Sequence, residues 1–434
     1  MFDLLIEVNT YTNSERVFLF AKIHMKQQII NFYHSAARKS GLIASLFFLC
    51  FILVVAILGG IHFFPSSNLF LDTYQGASVE SAWLAYRDSI QKDGRTIDRE
   101  RNYLTTSEGQ SYSLLRSVWM DDQEVFDRVY RWTKNNLQKR ENDKLFHWLW
   151  GQDSNGRWGV LTGIGGRNSA SDADQDIALA LIFAGKRWND DYYLKQAREI
   201  LHSIWSTEVI YVKGRPYLIA GNWASSETRP TINPSYLFPA AYNIFIQIDP
   251  AHDWMSLKDT SYEVLEQATW QPLDREVSAG LPPDWVSIDP VTGVILPAIH
   301  ADKTTNFSDD AFRTLWRVAL DYRWHNDPRA LAYLKKVTFL EEEWKNYYRL
   351  YGTYSHDGRV IKFNESSSLY GVALAFFDIT NPRIAEEILN QKVSKLYDSD
   401  LETIRSDLGY YPQNWLWFGM AFYANKLPNL YVLD

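Results

Sequence analysis

Hydrophobic positions follow three regimes along the chain. Residues 41–64 form an apolar run with no Asp, Glu, Lys or Arg, and His62 is its one titratable side chain. Residues 65–77, with Pro65-Ser66-Ser67-Asn68 and Asp72-Thr73-Tyr74-Gln75-Gly76, read as a short tether. From residue 78 onward apolar residues recur at helical spacing. Amphipathic stretches fall near 78–92, 110–120, 122–138, 173–187, 190–206, 234–248, 258–270, 308–324, 327–345, 365–377, 381–397 and 412–425. Turn signals separate many of them, among them Asp93-Gly94, Gly151 to Gly156, Gly163 to Gly166, Pro282-Pro283 and Asp357-Gly358. Short β pieces are expected around 207–221. About twelve helices without a long strand series predict paired helical hairpins, in an open solenoid or a closed double ring. No sequence unit repeats at a fixed period, which argues against a consensus-type solenoid.

The first apolar run is long enough to cross a bilayer, since about twenty helical residues span its hydrocarbon core. Lys22, Lys26, Arg38 and Lys39 precede it, and no Lys or Arg follows until Arg87. By the positive-inside rule, residues 1–40 form a cytoplasmic segment, 41–64 an uncleaved signal anchor, 65–77 a linker, and 78–434 a domain outside the cytoplasmic membrane. If translation starts at Met25 the run becomes more signal-like, and a cleaved segment would release the domain.

Composition narrows the function. The chain of 434 residues carries a net charge of −8, without the basic balance that nucleic-acid binding favours. Its one cysteine, Cys50, lies inside the apolar run, so no intramolecular disulfide forms. Aromatic residues make up 15%, including 17 Trp and 26 Tyr. Most fill cores, but flat aromatic faces also suit sugar rings.

Three acidic stretches carry candidate chemistry. Thr105-Thr106-Ser107-Glu108-Gly109-Gln110-Ser111-Tyr112 sets one carboxylate among small polar neighbours. Ser107 and Gln110 also fit a capping box, with Glu108 an ordinary first-turn acid. Asn168-Ser169-Ala170-Ser171-Asp172-Ala173-Asp174-Gln175-Asp176 crowds three carboxylates together. Ser171 with Asp174 fits a looser box, and Asp172 and Asp176 would share a helix face, where like charges repel. A calcium loop is not supported, because Ile177 and Phe183 stand where its glycine and final acid belong. In Ser308-Asp309-Asp310-Ala311-Phe312-Arg313, Arg313 lies within helical reach of Asp310.

In this order the three stretches resemble glycoside hydrolase family 8, and within it the endoglucanases that accompany bacterial cellulose synthase. Asp93-Gly94-Arg95-Thr96-Ile97-Asp98, Trp148-Leu149-Trp150-Gly151, Asn233-Pro234-Ser235-Tyr236-Leu237 and Pro283-Asp284-Trp285-Val286 extend the likeness from about residue 80 to about 425. The resemblance implies an all-α (α/α)6 barrel and an inverting endo-β-1,4-glucanase that needs no cofactor or metal. It implies Glu108 as general acid, Asp310 as general base, Asp172 as a further active-site carboxylate and Arg313 as the residue orienting the base. Inversion needs a protonated carboxyl on one side of the scissile bond and an ionised one about 6.5–9.5 Å away to activate water.

Two positions depart from the family pattern. Asp309 stands where a tyrosine is usual, so Asp309 or Asp310 is the ionised group, Asp310 by alignment with Ala311 and Arg313. Ser113 stands where a glycine usually follows Tyr112. Tyr112, Trp148, Trp150, Trp158, Trp223, Tyr236 and Trp285, with Asp309, are candidate substrate contacts, Trp150 and Trp285 foremost because they lie beside turns. The implied partners are a β-linked polysaccharide, the membrane through residues 41–64, and an exopolysaccharide synthesis complex. The same fold also serves hydrolases of chitosan, xylan or mixed-linkage β-glucan. A non-catalytic polysaccharide binder is the other reading, although a binder needs aromatics rather than separated carboxylates.

Overall fold

Six helices in the computed structural model contact one another in cyclic order: α2 (Ser107–Trp119), α4 (Ser171–Arg187), α6 (Pro239–Ile248), α8 (Asp309–His325), α11 (Ser367–Thr380) and α13 (Tyr410–Tyr423), with α13 returning to α2. Around this ring α3 (Gln123–Asn136) packs on α2, α5 (Asp191–Glu208) on α4, α7 (Trp254–Trp270) on α6, α9 (Pro328–Lys336) on α8, and α12 (Pro382–Gln391) on α11. Helix α1 (78–87) reaches α13, where the Trp417 indole donates to the Val79 carbonyl. With α10 (Phe339–Tyr347) these make thirteen helices among the described residues, which are 78–398 and 400–432. The expected cytoplasmic segment, anchor and linker lie outside them. Among the described residues no helix is long and apolar enough to cross a membrane. The described residues form one compact unit.

Burial explains why the helices sort into two rings. In α4 every residue from Ser171 to Gly185 is buried, and in α11 every residue from Ser368 to Phe377. Such helices are covered by protein on all sides, as a central position requires. Helices α3, α5 and α12 bury one stripe and turn charged faces to solvent. Helices α11 and α13 meet backbone to backbone at Gly371 and Gly419, where a Cβ on either residue would overlap the other helix's main chain. The helix content and cyclic contacts fit an (α/α)6 toroid.

Twelve stretches were expected, and the difference lies at 327–345. The chain breaks there at Val337 and Thr338, so the stretch becomes α9 and α10. The stretch expected from residue 234 starts its α-helix only at Pro239, behind a short 3-10 turn at Pro234–Tyr236.

Antiparallel strands decorate the connections. Strands β1 (Thr105–Thr106), β2 (Leu149–Gln152) and β3 (Trp158–Val160) pair in that order, with Thr105 opposite Trp150. The pair β4 (Val209–Val212) and β5 (Arg215–Leu218) is the hairpin expected around 207–221. Strands β6 (Thr231–Ile232), β7 (Val286–Ile288) and β8 (Ile295–Pro297) form a second three-stranded sheet. Hairpins β9 (Tyr351–Tyr354) with β10 (Val360–Glu365) and β11 (Tyr397–Asp398) with β12 (Thr403–Ile404) follow.

Candidate active site

Glu108, Asp172 and Asp310 are each the second residue of an inner helix, α2, α4 and α8 respectively. Acids are favoured there because a helix N-terminus carries partial positive charge and free N–H groups. The three ends converge on one cleft of about 600 Å³, lined by all three carboxylates together with Trp148, Trp223, Tyr236, Trp285 and Tyr410.

Arg313, one turn into α8 and almost wholly buried, ties the three acids together. Its Nη1 lies 2.9 Å from Glu108 Oε2 and 2.7 Å from Asp172 Oδ2, and its Nη2 lies 2.6 Å from Asp310 Oδ1. Glu108 and Asp310 thus hold different nitrogens of one guanidinium. The two bonds plus the width of that group cap the distance between the bonded oxygens, a cap that admits the lower part of the range of about 6.5–9.5 Å used by inverting enzymes. Glu108 and Asp310 remain open to the cleft, with side-chain exposures of 22% and 35%, whereas Asp172 keeps only 4%.

Electrostatics separates Glu108 from an ordinary carboxylate. Burial pushes its pKa up to about 7, the charges of Asp172 and Asp310 add to the rise, and Arg313 and a hydrogen bond from Tyr410 oppose it. Asp310 accepts the Trp285 indole N–H on Oδ2 at 3.1 Å. Asp309 is exposed, and only its main-chain carbonyl takes part, accepting the Tyr411 hydroxyl. Between the two aspartates, the geometry gives Asp310 the cleft and the arginine.

The crowded acids of α4 divide between two faces. Asp172 and Asp176 do share a face, and each meets an arginine on α8: Asp172 with Arg313, and Asp176 with Arg317 through bonds of 2.8 and 2.9 Å. Arg313 and Arg317 are themselves four residues apart, so two layers of ion pairs join α4 and α8. The repulsion expected between the aspartates is offset by these cations. Asp174 points away. It accepts the Phe146 N–H at 2.9 Å and faces Glu208, which accepts the Ser169 hydroxyl at 2.7 Å. Burial raises both carboxyls well above their usual range, so the pair retains a proton.

Neither expected capping box forms. The cap of α2 is Thr106, whose hydroxyl accepts the Gly109 N–H at 3.0 Å, because Ser107 is already helical. Gln110 instead holds the preceding turn, accepting from Thr96 N and donating to Gly94 O and Thr133 Oγ1. In α4 the cap position is Ala170, and Ser171 donates to the Ile219 carbonyl.

The aromatic candidates separate by position. Trp148, Trp223, Tyr236 and Trp285 line the cleft. Tyr236 lies over the Arg313 guanidinium, and the Lys303 ammonium sits 4.2 Å from the Trp285 ring centre. Trp150 is not among the cleft residues. It stacks on exposed Trp158, with the Arg95 guanidinium beside both rings. Tyr112 is buried edge-on against Trp415 and Phe418, its hydroxyl 3.4 Å from Arg313 Nη1.

Sequence reasoning missed three contributors. Tyr410 donates to Glu108 Oε1, and Tyr411 reaches the Asp309 carbonyl. Both begin α13 in Gly409-Tyr410-Tyr411-Pro412, a helix-start signal whose Pro marks the first turn. Asp284 caps α8, accepting Ser308 N at 3.1 Å, Ala311 N at 2.9 Å and Ser308 Oγ at 2.5 Å. It thereby fixes the helix end that carries Asp310.

The sequence model of Glycosyl hydrolases family 8 matches residues 68–414. Endoglucanase A of Acetivibrio thermocellus is 30% identical over 349 residues, covering 78% of this chain and 65% of that protein. An endoglucanase of Escherichia coli K12 is 34% identical over 248 residues, 56% of this chain and 63% of that one. The chain therefore spans about two thirds of these relatives' lengths. The crystal structure of endo-1,4-D-glucanase from Vibrio fischeri ES114 superposes with a TM-score of 0.66 at 24% identity, covering 79% of this chain and 94% of that chain, and so shares the fold.

Proposed function

The chain belongs to glycosyl hydrolases family 8, and we propose that it is an endo-β-1,4-glucanase that cleaves β-glucan chains with inversion. One observation carries the reading: a single arginine, Arg313, gathers three carboxylates from three inner helix ends at the floor of one aromatic-lined cleft. The names of the endoglucanase relatives support the substrate class.

In this mechanism Glu108 is the general acid. A carboxyl titrating near 7 is still largely protonated in mildly acidic solution and can give its proton to the leaving glycosidic oxygen. Asp310 is the base. Arg313 and the Trp285 indole each occupy one of its oxygens, so it keeps its orientation while its remaining lone pairs accept a proton from the attacking water. Water adds to the anomeric carbon from the face opposite the leaving group, and the anomeric configuration inverts. Asp172 pairs with Arg313, and its charge helps raise Glu108. Its Oδ1 is buried with no hydrogen-bond partner among the described residues. Trp148, Trp223, Tyr236 and Trp285 supply the faces on which sugar rings lie. Tyr112 acts through Arg313, and Asp309 is exposed and not among the cleft residues.

The charge-free run at 41–64 and the Lys/Arg excess before it support a single-pass anchor, with the hydrolase outside the cytoplasmic membrane. There it would trim a glucan during export, beside an exopolysaccharide synthesis complex. Recovery of the chain in the soluble cytoplasmic fraction would contradict that placement.

The activity is tested by assaying wild type beside Glu108→Gln on soluble cellulose, lichenan, xylan and chitosan. Wild-type cleavage of soluble cellulose with an α-anomer as first product, and cleavage slower by about 10²–10⁴-fold in the variant, is expected. Hydrolysis confined to xylan or chitosan would move the substrate class. No hydrolysis of any polymer would leave a binder.

A further inference from the structure

On the outer ring, away from the cleft, three side chains converge that the hydrolytic mechanism does not use. His202 lies near the end of α5, Asp249 directly follows α6, and His252 sits in the turn that leads into α7. Their ligand atoms all lie within 4.8 Å of one another. We propose that His202, Asp249 and His252 bind one divalent transition-metal ion of the zinc class, which pins α5 to the α6–α7 turn.

The donor set suits such an ion, since two imidazoles and one carboxylate are common ligands for zinc and its neighbours. His202 Nε2 and Asp249 Oδ1 stand 3.4 Å apart. Two ligand atoms each about 2.0–2.1 Å from a tetrahedral centre stand at roughly this spacing. Asp249 Oδ1 is buried and has no hydrogen-bond partner among the described residues. A carboxylate oxygen left so is costly unless a cation meets it. His252 Nδ1 lies 2.6 Å from Asp249 Oδ2, at hydrogen-bond distance, and a small rotation turns it to a shared ion.

The surroundings hold these groups in place, as outer partners of metal ligands do. The Trp254 indole donates to Asp249 Oδ2 at 3.1 Å. The His252 ring stacks on Trp205 at 5.0 Å and 23°. Backbone bonds from Asp249 N to Phe245 O and from Trp254 N to His252 O tie down both ends of the turn. Side-chain exposure runs from 1% at Asp249 through 20% at His252 to 54% at His202, which leaves a solvent side for a water ligand. The nearby cation Arg198 is engaged by the Ile248 carbonyl, at the C-terminal end of α6. An ordinary histidine–aspartate contact accounts for either imidazole singly, whereas the two imidazoles meeting the two oxygens of one buried carboxylate form a three-donor set.

The test uses the full-length chain stripped with a chelator and then titrated with Co²⁺ or Zn²⁺. One equivalent is expected to bind, with the visible absorption of four-coordinate Co²⁺, and Zn²⁺ is expected to raise Tm. His202→Gln removes only an exposed imidazole, so folding is not at risk. It should lose the Co²⁺ spectrum and the Zn²⁺-dependent rise in Tm while keeping wild-type hydrolysis. Asp249→Asn should do the same where it folds. Absence of stoichiometric binding to wild type overturns the site, as does equal binding by His202→Gln and His252→Gln. Because the readout is metal binding rather than hydrolysis, its failure leaves the glucanase reading untouched.

Discussion

Tyr410 donates its hydroxyl to Glu108 Oε1 at 2.7 Å, across a separation of 302 residues in sequence. The closed ring makes this possible, because α13 returns beside α2 and sets its first residue against the acid. The bond favours the ionised form and holds the Glu108 pKa below where burial alone would set it. In Tyr410→Phe the alkaline limb of kcat/KM should therefore move to higher pH. The rate in mildly acidic solution should fall by no more than about tenfold, the scale of one hydrogen bond. A limb that stays in place or moves to lower pH would show that Tyr410 does not govern this titration.

The acid itself predicts the limb. Glu108 must be protonated to act, and its pKa lies near 7. Wild-type kcat/KM should hold on the acid side and fall as pH rises through 7. Glu108→Gln keeps the shape but cannot donate a proton, so kcat should drop by about 10²–10⁴-fold. Its residual activity should lack the alkaline limb. Michaelis–Menten profiles between pH 5 and 9 for both proteins decide this.

The neighbouring aspartates should differ sharply. Asp310 holds Arg313 and Trp285 at the cleft floor, whereas Asp309 is exposed. Asp310→Asn is expected to lose about 10²–10⁴-fold in kcat, and Asp309→Asn to remain within a few fold of wild type. Azide restores base-deleted glycosidases by taking the place of the activated water, so it should rescue Asp310→Asn and do nothing for Asp309→Asn. The reverse pattern would transfer the base to Asp309.

The sequence showed which residues carry acids better than how they are held. The helical hairpins were legible because apolar residues recur at helical spacing along the chain, whereas their division into an inner and an outer ring was not. A break at Val337-Thr338 was not, since both residues fit a helical pattern. Asp172 and Asp176 could be placed on one face by counting four residues. Their arginine partners could not, because Arg313 and Arg317 lie 141 residues away and only ring closure brings α8 against α4. For the same reason Tyr410 and Asp284 escaped notice, as did the convergence of His202 with His252. Trp150 looked suited to sugar because it adjoins a turn, yet that turn is a β-hairpin whose own Trp158 covers it.

The buried pair Asp174 and Glu208 gives a prediction about stability. Burial raises both carboxyls, the Asp174 charge raises Glu208 further, and the hydrogen bond between the two lowers Asp174. The unfolded chain releases these protons near pH 4, the usual carboxyl range of about 3.9–4.3. The folded protein keeps at least one to higher pH. Between those limits the native state binds more protons than the unfolded state, so the pair's contribution to stability falls as pH rises through the window. Glu208→Gln replaces the protonated carboxyl with an amide of the same shape. Its carbonyl can accept from Ser169, and its NH2 can donate to an ionised Asp174. The variant should therefore lose less Tm than wild type between pH 5 and pH 8, and at pH 8 should be at least as stable. Thermal unfolding of both proteins at the two pH values is the measurement. A steeper fall in the variant would mean that the pair is already ionised in the native protein, with Arg140 neutralising it.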